Sequence, residues 1–116
     1  MIIYYVILIC FVHFVADFVF QTSEQAANKH HDSIKLFNHA IIYSGTWLLI
    51  MPWILGINAL IFIIITFCLH YTVDYITSKI NSHLFKKGNL HLFFVSIGFD
   101  QFLHIALLLI TFLSLT

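Results

Sequence analysis

The sequence lacks several features that would point to common classes of soluble protein. It has no arginine, one proline and four glycines, and only 9% of its 116 residues are charged. We find no low-complexity linker and no glycine-rich nucleotide-binding loop. The formal net charge is zero, which removes the electrostatic basis for binding nucleic acid. Cys10 and Cys68 lie in apolar runs, so we expect small buried hydrophobes and not a disulfide.

The sequence has apolar surface in place of charge. Hydrophobic residues make up 61% of the chain, and the mean hydropathy is +0.99. A soluble domain of this length cannot bury that much apolar area. The first apolar segment has no positive region before it and no small-residue cleavage site, so we do not expect a removed signal peptide. The composition predicts a single integral membrane domain over residues 1–116.

Four apolar stretches are long enough to cross a bilayer. About 20 residues at 1.5 Å each span a hydrocarbon core of ~30 Å, and only a helix satisfies its own backbone there. The sequence therefore predicts an all-α fold, a four-helix transmembrane bundle. The spans cover approximately residues 2–20, 37–55, 59–77 and 90–115.

The segments between the spans carry their own signals. Gly56–Asn58 predicts a tight turn, and Pro52 just before it should kink or end the second span. A short helix in the first loop should start after Thr22 or Ser23. Asp32 or Ser33 should cap the helix that becomes the second span.

Lysine placement predicts the orientation of the chain. The first and third loops are basic, whereas the short second loop and both termini carry no lysine. By the positive-inside rule, both long loops are cytoplasmic, and Met1 and Thr116 are extracytoplasmic. We therefore expect the inner (cytoplasmic) membrane as the location. The five lysines are Lys29, Lys35, Lys79, Lys86 and Lys87.

Seven ionisable residues interrupt the apolar spans, and six of them repeat one spacing. They form three histidine–aspartate pairs at i,i+4, which places both partners on one helix face. A charged aspartate near a bilayer centre costs about 2.5–3.5 kcal/mol, so such residues mark a buried site, a pathway or a polar helix interface. The seven are His13 and Asp17, His70 and Asp74, Asp100 and His104, and His39 at the start of the second span.

The alternating directions of the spans place all seven residues in the cytoplasmic half of the membrane. In a bundle, their side chains can converge on one cavity that faces the cytoplasm. Neutral imidazole and carboxylate groups are good ligands for divalent metals. Three carboxylates and four imidazoles exceed what one tetrahedral zinc needs, so they could supply two metals, or one metal with outer groups. We therefore predict all seven as metal ligands.

The leading functional hypothesis is a metal-dependent membrane hydrolase. Zinc is the first candidate, and manganese or iron are the alternatives. The metal would activate water against a lipid-like or amphiphilic substrate. His39, Asp74 and Asp100 are the predicted catalytic residues, with His39 a ligand or general base. Residues predicted to orient ligands or substrate are Gln21, Lys29, Lys79 and Gln101.

Two other hypotheses stay open from the sequence. Intramembrane Asp and His are common in proton relays, which favours an oligomeric ion- or proton-linked transporter or channel. The outer halves of the spans are nearly uninterrupted Ile, Leu and Phe, which argues against a complete path. The polar pairs could also clamp helices in a small phage-type accessory protein that binds a host partner. The limited surface of 116 residues makes a homo-oligomer plausible.

The motif residues carry a family resemblance. The run from His13-Phe-Val-Ala-Asp17 to Gln21, with Lys29 and His39, resembles the DUF3307 group of small bacterial and phage membrane proteins. The resemblance covers nearly the whole chain and implies a multi-helix membrane protein whose polar residues share one site. It implies no activity. The matching continues through His70-Tyr-Thr-Val-Asp74, Lys79 and Asp100-Gln101-Phe-Leu-His104.

Overall fold

The computed structural model describes all 116 residues and contains only helices and turns. The predicted all-α class is confirmed. Six α-helices are joined by a π-helical turn and a 3₁₀ turn. In chain order the elements are α1 (Ile2–Phe14), the π-turn (Val15–Val19), α2 (Ser23–Asn28), α3 (Ser33–Thr46), the 3₁₀ turn (Trp47–Leu49), α4 (Met51–Leu55), α5 (Asn58–Lys86) and α6 (Leu90–Leu115).

Three of these helical segments are long and apolar enough to cross a membrane. They are α1 with its π-turn, α5 and α6, and they coincide with the first, third and fourth predicted spans. The side chains that face outward on them are large hydrophobics such as Phe11, Ile64 and Phe102. More than half of the 25 buried residues are polar. This inverted distribution suits a chain whose outer surface lies in lipid.

The predicted second span is divided in the structure. Helix α3 ends at Thr46, and Ile50 leaves helical geometry with φ −127° before α4 begins. Pro52 explains why α3 does not continue, because its ring lacks an N–H and would clash with the carbonyl of Leu48. In the first turn of α4 the missing N–H costs nothing. A fourth crossing of the membrane by residues 37–55 stays a prediction.

The loop predictions hold in detail. Thr22 caps α2, its hydroxyl accepting from Gln25 N while the Gln25 side chain accepts from Thr22 N. Asp32 caps α3 by accepting from Ile34 N and Lys35 N. The turn before α5 uses Gly56 at φ 58°, a conformation that side chains disfavour. These caps fix where the short first-loop helix sits against the long helices.

The long segments alternate in direction, so both termini lie at one end of the molecule. The Tyr5 and Phe112 rings are 5.6 Å apart, and Asn58 Nδ2 donates to Leu115 O at 3.2 Å. We call this the terminal end. Helix α2 and the α5–α6 turn form the opposite loop end. The side of a membrane that each end would face stays a prediction.

The buried interior has two layers. The layer towards the terminal end is an apolar core, in which the Trp47 and Phe62 rings meet edge to face at 5.4 Å. The layer towards the loop end is polar and contains the histidines and aspartates singled out in the sequence. The members of the apolar core are Ile9, Ala16, Tyr43, Trp47, Met51, Ala59, Phe62, Leu108 and Phe112.

Candidate metal centre

Four chain segments bring the seven predicted residues into one buried cluster. None of the seven is more than 7% exposed. The outer faces of α1, α5 and α6 are apolar, and the opposite faces, which carry the polar residues, point inward. We call this group the His/Asp cluster. Its members are His13 on α1, Asp17 in the π-turn, His39 on α3, His70 and Asp74 on α5, and Asp100 and His104 on α6.

Four of these side chains aim one ligand atom each at a common point. His39 Nε2 lies 3.0 Å from Asp17 Oδ1, 3.1 Å from His70 Nε2 and 3.3 Å from Asp74 Oδ2. His70 Nε2 lies 3.3 Å from Asp74 Oδ2 and 3.8 Å from Asp17 Oδ1. A tetrahedral zinc with bonds near 2.05 Å has ligand–ligand edges of about 3.3 Å. These four atoms, the first ligand group, therefore have the spacing of a metal site.

A second ligand group shares Asp74 with the first. His104 Nε2 lies 3.0 Å from Asp74 Oδ1 and 3.2 Å from Asp100 Oδ1. The two oxygens of Asp74 thus serve the two groups separately, as a carboxylate between two metals would. Three protein ligands are the number that catalytic zinc sites use, with the fourth position left for water or substrate. Both groups can hold a divalent ion by their geometry.

The i,i+4 spacing correctly predicted that these residues lie on the inward helix faces, but it did not predict which side chains they contact. His13 Nε2 and Asp17 Oδ2 are 3.8 Å apart, and Asp17 instead approaches His39 on another helix. The π-turn contributes, because its Phe20 N–H donates to Val15 O and adds one residue to the helical turn that carries Asp17. Such π-bulges often lie at functional sites. No sequence signal identified this one.

His13 lies at the edge of the cluster and outside both ligand groups. Its Nδ1 is 2.7 Å from Tyr43 Oη, and its Nε2 is 2.7 Å from Gln101 Oε1. Gln101 Nε2 in turn donates to Asp17 Oδ2 at 3.2 Å and to Asp100 Oδ2 at 3.1 Å. Gln101 therefore links the two ligand groups by hydrogen bonds, and its role in orienting ligands stays a prediction. The role of His13 as a direct ligand stays a prediction.

Lys29 reaches the cluster from the first loop. Its Nζ donates to Asp74 Oδ2 at 2.9 Å and to Gln21 Oε1 at 3.0 Å. Burial alone would lower the pKa of Lys29, but the Asp74 and Asp17 carboxylates outweigh it and raise that pKa. Lys29 is therefore a cation at neutral pH. The predicted proximity of Gln21 and Lys29 to the site agrees with this geometry.

Lys79 lies away from the cluster. Its ammonium donates to His30 O at 2.8 Å and sits 4.7 Å from the Tyr75 ring centroid. These contacts tie α5 to the first loop. The predicted role of Lys79 in orienting ligands or substrate has no contact in support.

Two further residues contact the cluster directly. Thr77 Oγ1 donates to Asp100 Oδ1 at 2.6 Å, and the Tyr43 ring stacks on the His70 ring at 3.7 Å. The sequence indicates Tyr43 as one of several tyrosines that could hydrogen-bond to the cluster, and it lies one turn beyond His39. Sequence reasoning missed Thr77, an ordinary helix residue by type. Its position one helical turn beyond Asp74 could have indicated the contact.

In His39 and His70, the ring nitrogen that is not part of the first ligand group has no hydrogen-bond partner in the protein. His39 Nδ1 and His70 Nδ1 are both buried and without a hydrogen bond. Histidine ligands usually donate this second N–H to a carboxylate, carbonyl or water. Both rings are held here by packing, His70 against Tyr43 and His39 against His70. Their orientation therefore depends on the helix contacts more than on outer hydrogen bonds.

An open cavity of about 500 Å³ adjoins the cluster at the loop end. Asp17, Asp100 and Lys29 belong to both the cluster and the cavity wall. Burial, followed by the neighbouring His31 and Lys86, lowers the pKa of His30 in that wall, so lysines supply the positive charge. The remaining lining residues are Phe18, Gln21, Ala26, Ala27, Ser78, Asn81, Ser82, Phe85, Lys86, Phe93, Ile97 and Gln101.

Comparison with known proteins gives a family and no relative of known activity. The family described as "Protein of unknown function (DUF3307)" matches residues 4–116. No curated protein and no solved structure matches the chain. The resemblance noted from the motif residues is therefore confirmed over almost the full length. The chain belongs to the DUF3307 family.

Proposed function

We propose that the protein is a metal-dependent membrane hydrolase with its centre in the His/Asp cluster. The observation that carries the proposal is the first ligand group. Four ligand atoms from the π-turn, α3 and α5 all lie within 4.8 Å of one another, with separations of 3.0 to 3.8 Å for every pair that includes His39 or His70, and Asp74 extends the arrangement to a second group. A polar helix clamp would use the same short distances as hydrogen bonds, such as His39 Nε2 to Asp17 Oδ1 and His70 Nε2 to His39 Nε2, so metal retention is the measurement that separates the two.

The charge of the cluster supports a divalent ion. Three carboxylates and the Lys29 ammonium leave a formal charge of −2 when the imidazoles are neutral. Uncompensated charge in a buried layer is expensive, so something must offset it. One divalent cation does so and uses the imidazoles in their neutral, ligating form. The competing explanation is a cluster in which two imidazoles carry an extra proton.

The two ligand groups suit different tasks. The first has four protein ligands and suits an ion that orders the site. The second has three, and its member Asp100 also lines the open cavity, where substrate and water would arrive. A divalent ion there would lower the pKa of a coordinated water and polarise a substrate oxygen. Asp74, Asp100 and His104 would hold this ion, and Thr77 and Gln101 would orient the Asp100 carboxylate by donating to its two oxygens. That carboxylate would also serve as a proton acceptor for water in the cavity.

The apolar core favours a hydrolase over a transporter. A transmembrane ion path needs polar groups or water beyond the His/Asp cluster towards the terminal end. There the interior holds apolar residues such as Ile9, Trp47, Phe62 and Phe112, all at most 3% exposed. Its polar residues carry only hydroxyl groups and no charge: Ser44, Thr46, Thr66 and Thr111. Next to His70 and His104 lies a cavity of about 10 Å³, room for about one water. The wide opening of the cluster is therefore the side with the large cavity.

The lysines support a cytoplasmic loop end. All five are in or beside α2, the α2–α3 loop and the α5–α6 hairpin, which lie at that end. The large cavity would then open to the inner face of the cytoplasmic membrane. Reporter fusions test this orientation, and a reporter active only outside the cytoplasm should stay inactive at a loop position such as residue 88.

Metal content tests the central proposal. We expect wild-type protein, purified in mild detergent and dialysed against zinc, manganese or iron, to retain one or two ions per chain by mass spectrometry. His39→Ala should abolish this retention. His91→Ala should keep it, because His91 is exposed and far along α6 from the cluster. Absence of stoichiometric metal in folded wild-type protein under all three conditions would overturn the proposal in favour of a protonated network.

A further inference from the structure

The large cavity combines a cationic wall, an apolar wall and the open side of the cluster. Lys29 Nζ uses two of its three N–H groups, on Asp74 and Gln21, and the third is free for a ligand. Lys86 adds a second ammonium to the same lining. A ligand that enters this space meets the Lys29 and Lys86 ammonium groups together with the Asp17 and Asp100 carboxylates of the cluster, so a favourable anion must contact both ammonium groups. An anionic group is the chemistry that fits there.

Buried polar atoms in the same wall lack partners. Ser78 is 7% exposed, and its Oγ has no hydrogen bond in the protein. Asn81 Oδ1, one turn further along α5, is also buried and unpaired. Both residues line the cavity. Unpaired buried polar atoms of this kind are costly and point to a ligand or water that supplies the missing bond.

The rest of the wall is apolar and continues to the outer surface. Phe93 and Ile97 on α6 line the interior of the cavity, and the Phe93 and Phe85 rings are 5.3 Å apart. Phe18 and Phe85 line it as well and are about half exposed on the surface that would face lipid. An alkyl chain could therefore lie along these rings and leave between α1 and the α5–α6 hairpin. The volume of about 500 Å³ suits a headgroup and the first part of such a chain.

We propose that this cavity binds an amphiphile with a phosphate headgroup. The phosphate contacts Lys29, Lys86 and Ser78 beside the second ligand group, and the alkyl chain lies against Phe93 and Ile97. Phosphate fits better than a neutral headgroup because the wall offers two ammonium groups. The claim that this amphiphile is the substrate of the hydrolase rests on the proposed function. The claim that the cavity binds it does not.

Binding of dodecyl phosphate to protein in a maltoside detergent tests the proposal. We expect saturable binding, at one site per chain, by equilibrium dialysis with labelled ligand. Lys86→Gln should weaken it about tenfold, the value of a charge-assisted hydrogen bond of about 1.4 kcal/mol. Lys87→Gln is the matched control and should bind within about twofold of wild type, because Lys87 is not in the lining.

The alkyl chain is tested by a second pair of variants. Phe93→Ala should weaken dodecyl phosphate about tenfold while leaving inorganic phosphate unchanged, since the ring meets only the chain. Phe94→Ala is the control, because Phe94 is 65% exposed on the outer face. Inorganic phosphate that competes as strongly as dodecyl phosphate would overturn the amphiphile in favour of a free phosphate site. Equal binding of labelled dodecyl glycerol ether, whose headgroup is neutral and differs from that of the detergent, would overturn the anionic headgroup.

Metal-depleted protein separates this inference from the proposed function. Dodecyl phosphate that still binds, and still responds to Lys86→Gln, supports the cavity even if no metal is found. Metal retention without any dodecyl phosphate binding would leave the proposed centre intact and overturn the substrate class. Circular dichroism and a single gel-filtration peak for each variant exclude loss of fold as the cause.

Discussion

The two layers of the interior, the apolar core and the His/Asp cluster, differ in the kind of contact that their side chains make. In the apolar core, rings and aliphatic side chains fill space between helices, as in the edge-to-face contact of Trp47 with Phe62. In the His/Asp cluster, contacts depend on single atoms, such as the two oxygens of Asp74 that face different groups. In lipid the core gains little from the hydrophobic effect, because lipid tails are equally apolar, and its contribution is packing. The apolar core therefore holds the helices together by packing, and the cluster supplies the atoms on which the proposed metal centre depends.

The largest expected effect is on the stability of the core. Phe62→Ala should lower the free energy of unfolding by about 4 kcal/mol, because Phe62 is fully buried and its loss leaves a cavity beside Trp47. Reversible denaturation in detergent measures this change. Metal retained per chain should stay at the wild-type value under native conditions. Phe102→Ala is the control, since Phe102 is 63% exposed and should change stability little.

Asp74→Asn should have the opposite pattern to Phe62→Ala: metal binding weakens while the fold is retained. Loss of the charge shared by both ligand groups should weaken metal binding by about 100-fold or more, equivalent to about 2.7 kcal/mol. The amide keeps the shape of the side chain, so insertion and helix content should remain. Competition with a fluorescent chelator measures the affinity. Asp32→Asn, at a cap that asparagine also satisfies, should match wild type; equal metal affinity in both variants would contradict the assignment of Asp74.

Gln101→Leu should have a smaller effect within the cluster. Gln101 Nε2 donates to Asp17 and Asp100, and its Oε1 accepts from His13 Nε2, so Gln101→Leu loosens the ligand side chains without removing a ligand. We expect about a tenfold loss of metal affinity, at the lower end of effects for residues that orient ligands. The number of ions bound at saturation should not change. A fall in that number would show that Gln101 is itself a ligand.

Much of the cluster could be predicted from the sequence, because intramembrane polar residues are rare and their depth follows from helix direction. The pairs at i,i+4 fixed the faces of α1, α5 and α6 correctly. Their partners could not be predicted, since spacing within a helix says nothing of which helix packs opposite. Asp17 meets His39, and Asp74 meets His104. These contacts depend on helix packing and, for Asp17, on the π-turn.

The fold shows the same division between local and long-range information. Caps at Thr22 and Asp32 were predictable because each is a contact within four residues. The break between α3 and α4 was only partly predictable: Pro52 marked a disturbance, but the helix ends earlier, at Thr46. The contact of Lys29 with Asp74 joins residues 45 apart in the chain. This contact depends on where α2 packs against the long helices, and no local sequence pattern predicts that position.

Tyr43 lies where the two layers meet and gives the finest test of their separation. Its ring belongs to the apolar core and stacks on His70, while its hydroxyl contacts His13. Tyr43→Phe keeps the ring and removes only the hydroxyl, so unfolding should become easier by about 1 kcal/mol, the value of one buried hydrogen bond. Metal affinity should change by less than about twofold, because His13 lies outside both ligand groups.

Tyr75→Phe is the matched control, because Tyr75 is half exposed and its hydroxyl has no partner in the cluster. It should alter neither stability nor metal affinity. The Phe ring of Tyr43→Phe keeps the stack on His70, so a loss of metal binding as large as that of Gln101→Leu would point to the missing hydroxyl and to His13, the residue that both side chains contact. His13 would then act on the ions directly, and the polar layer would extend as far as the Tyr43 hydroxyl. If Tyr43→Phe lowers stability and leaves metal affinity unchanged, the metal centre consists of the two ligand groups and does not include His13.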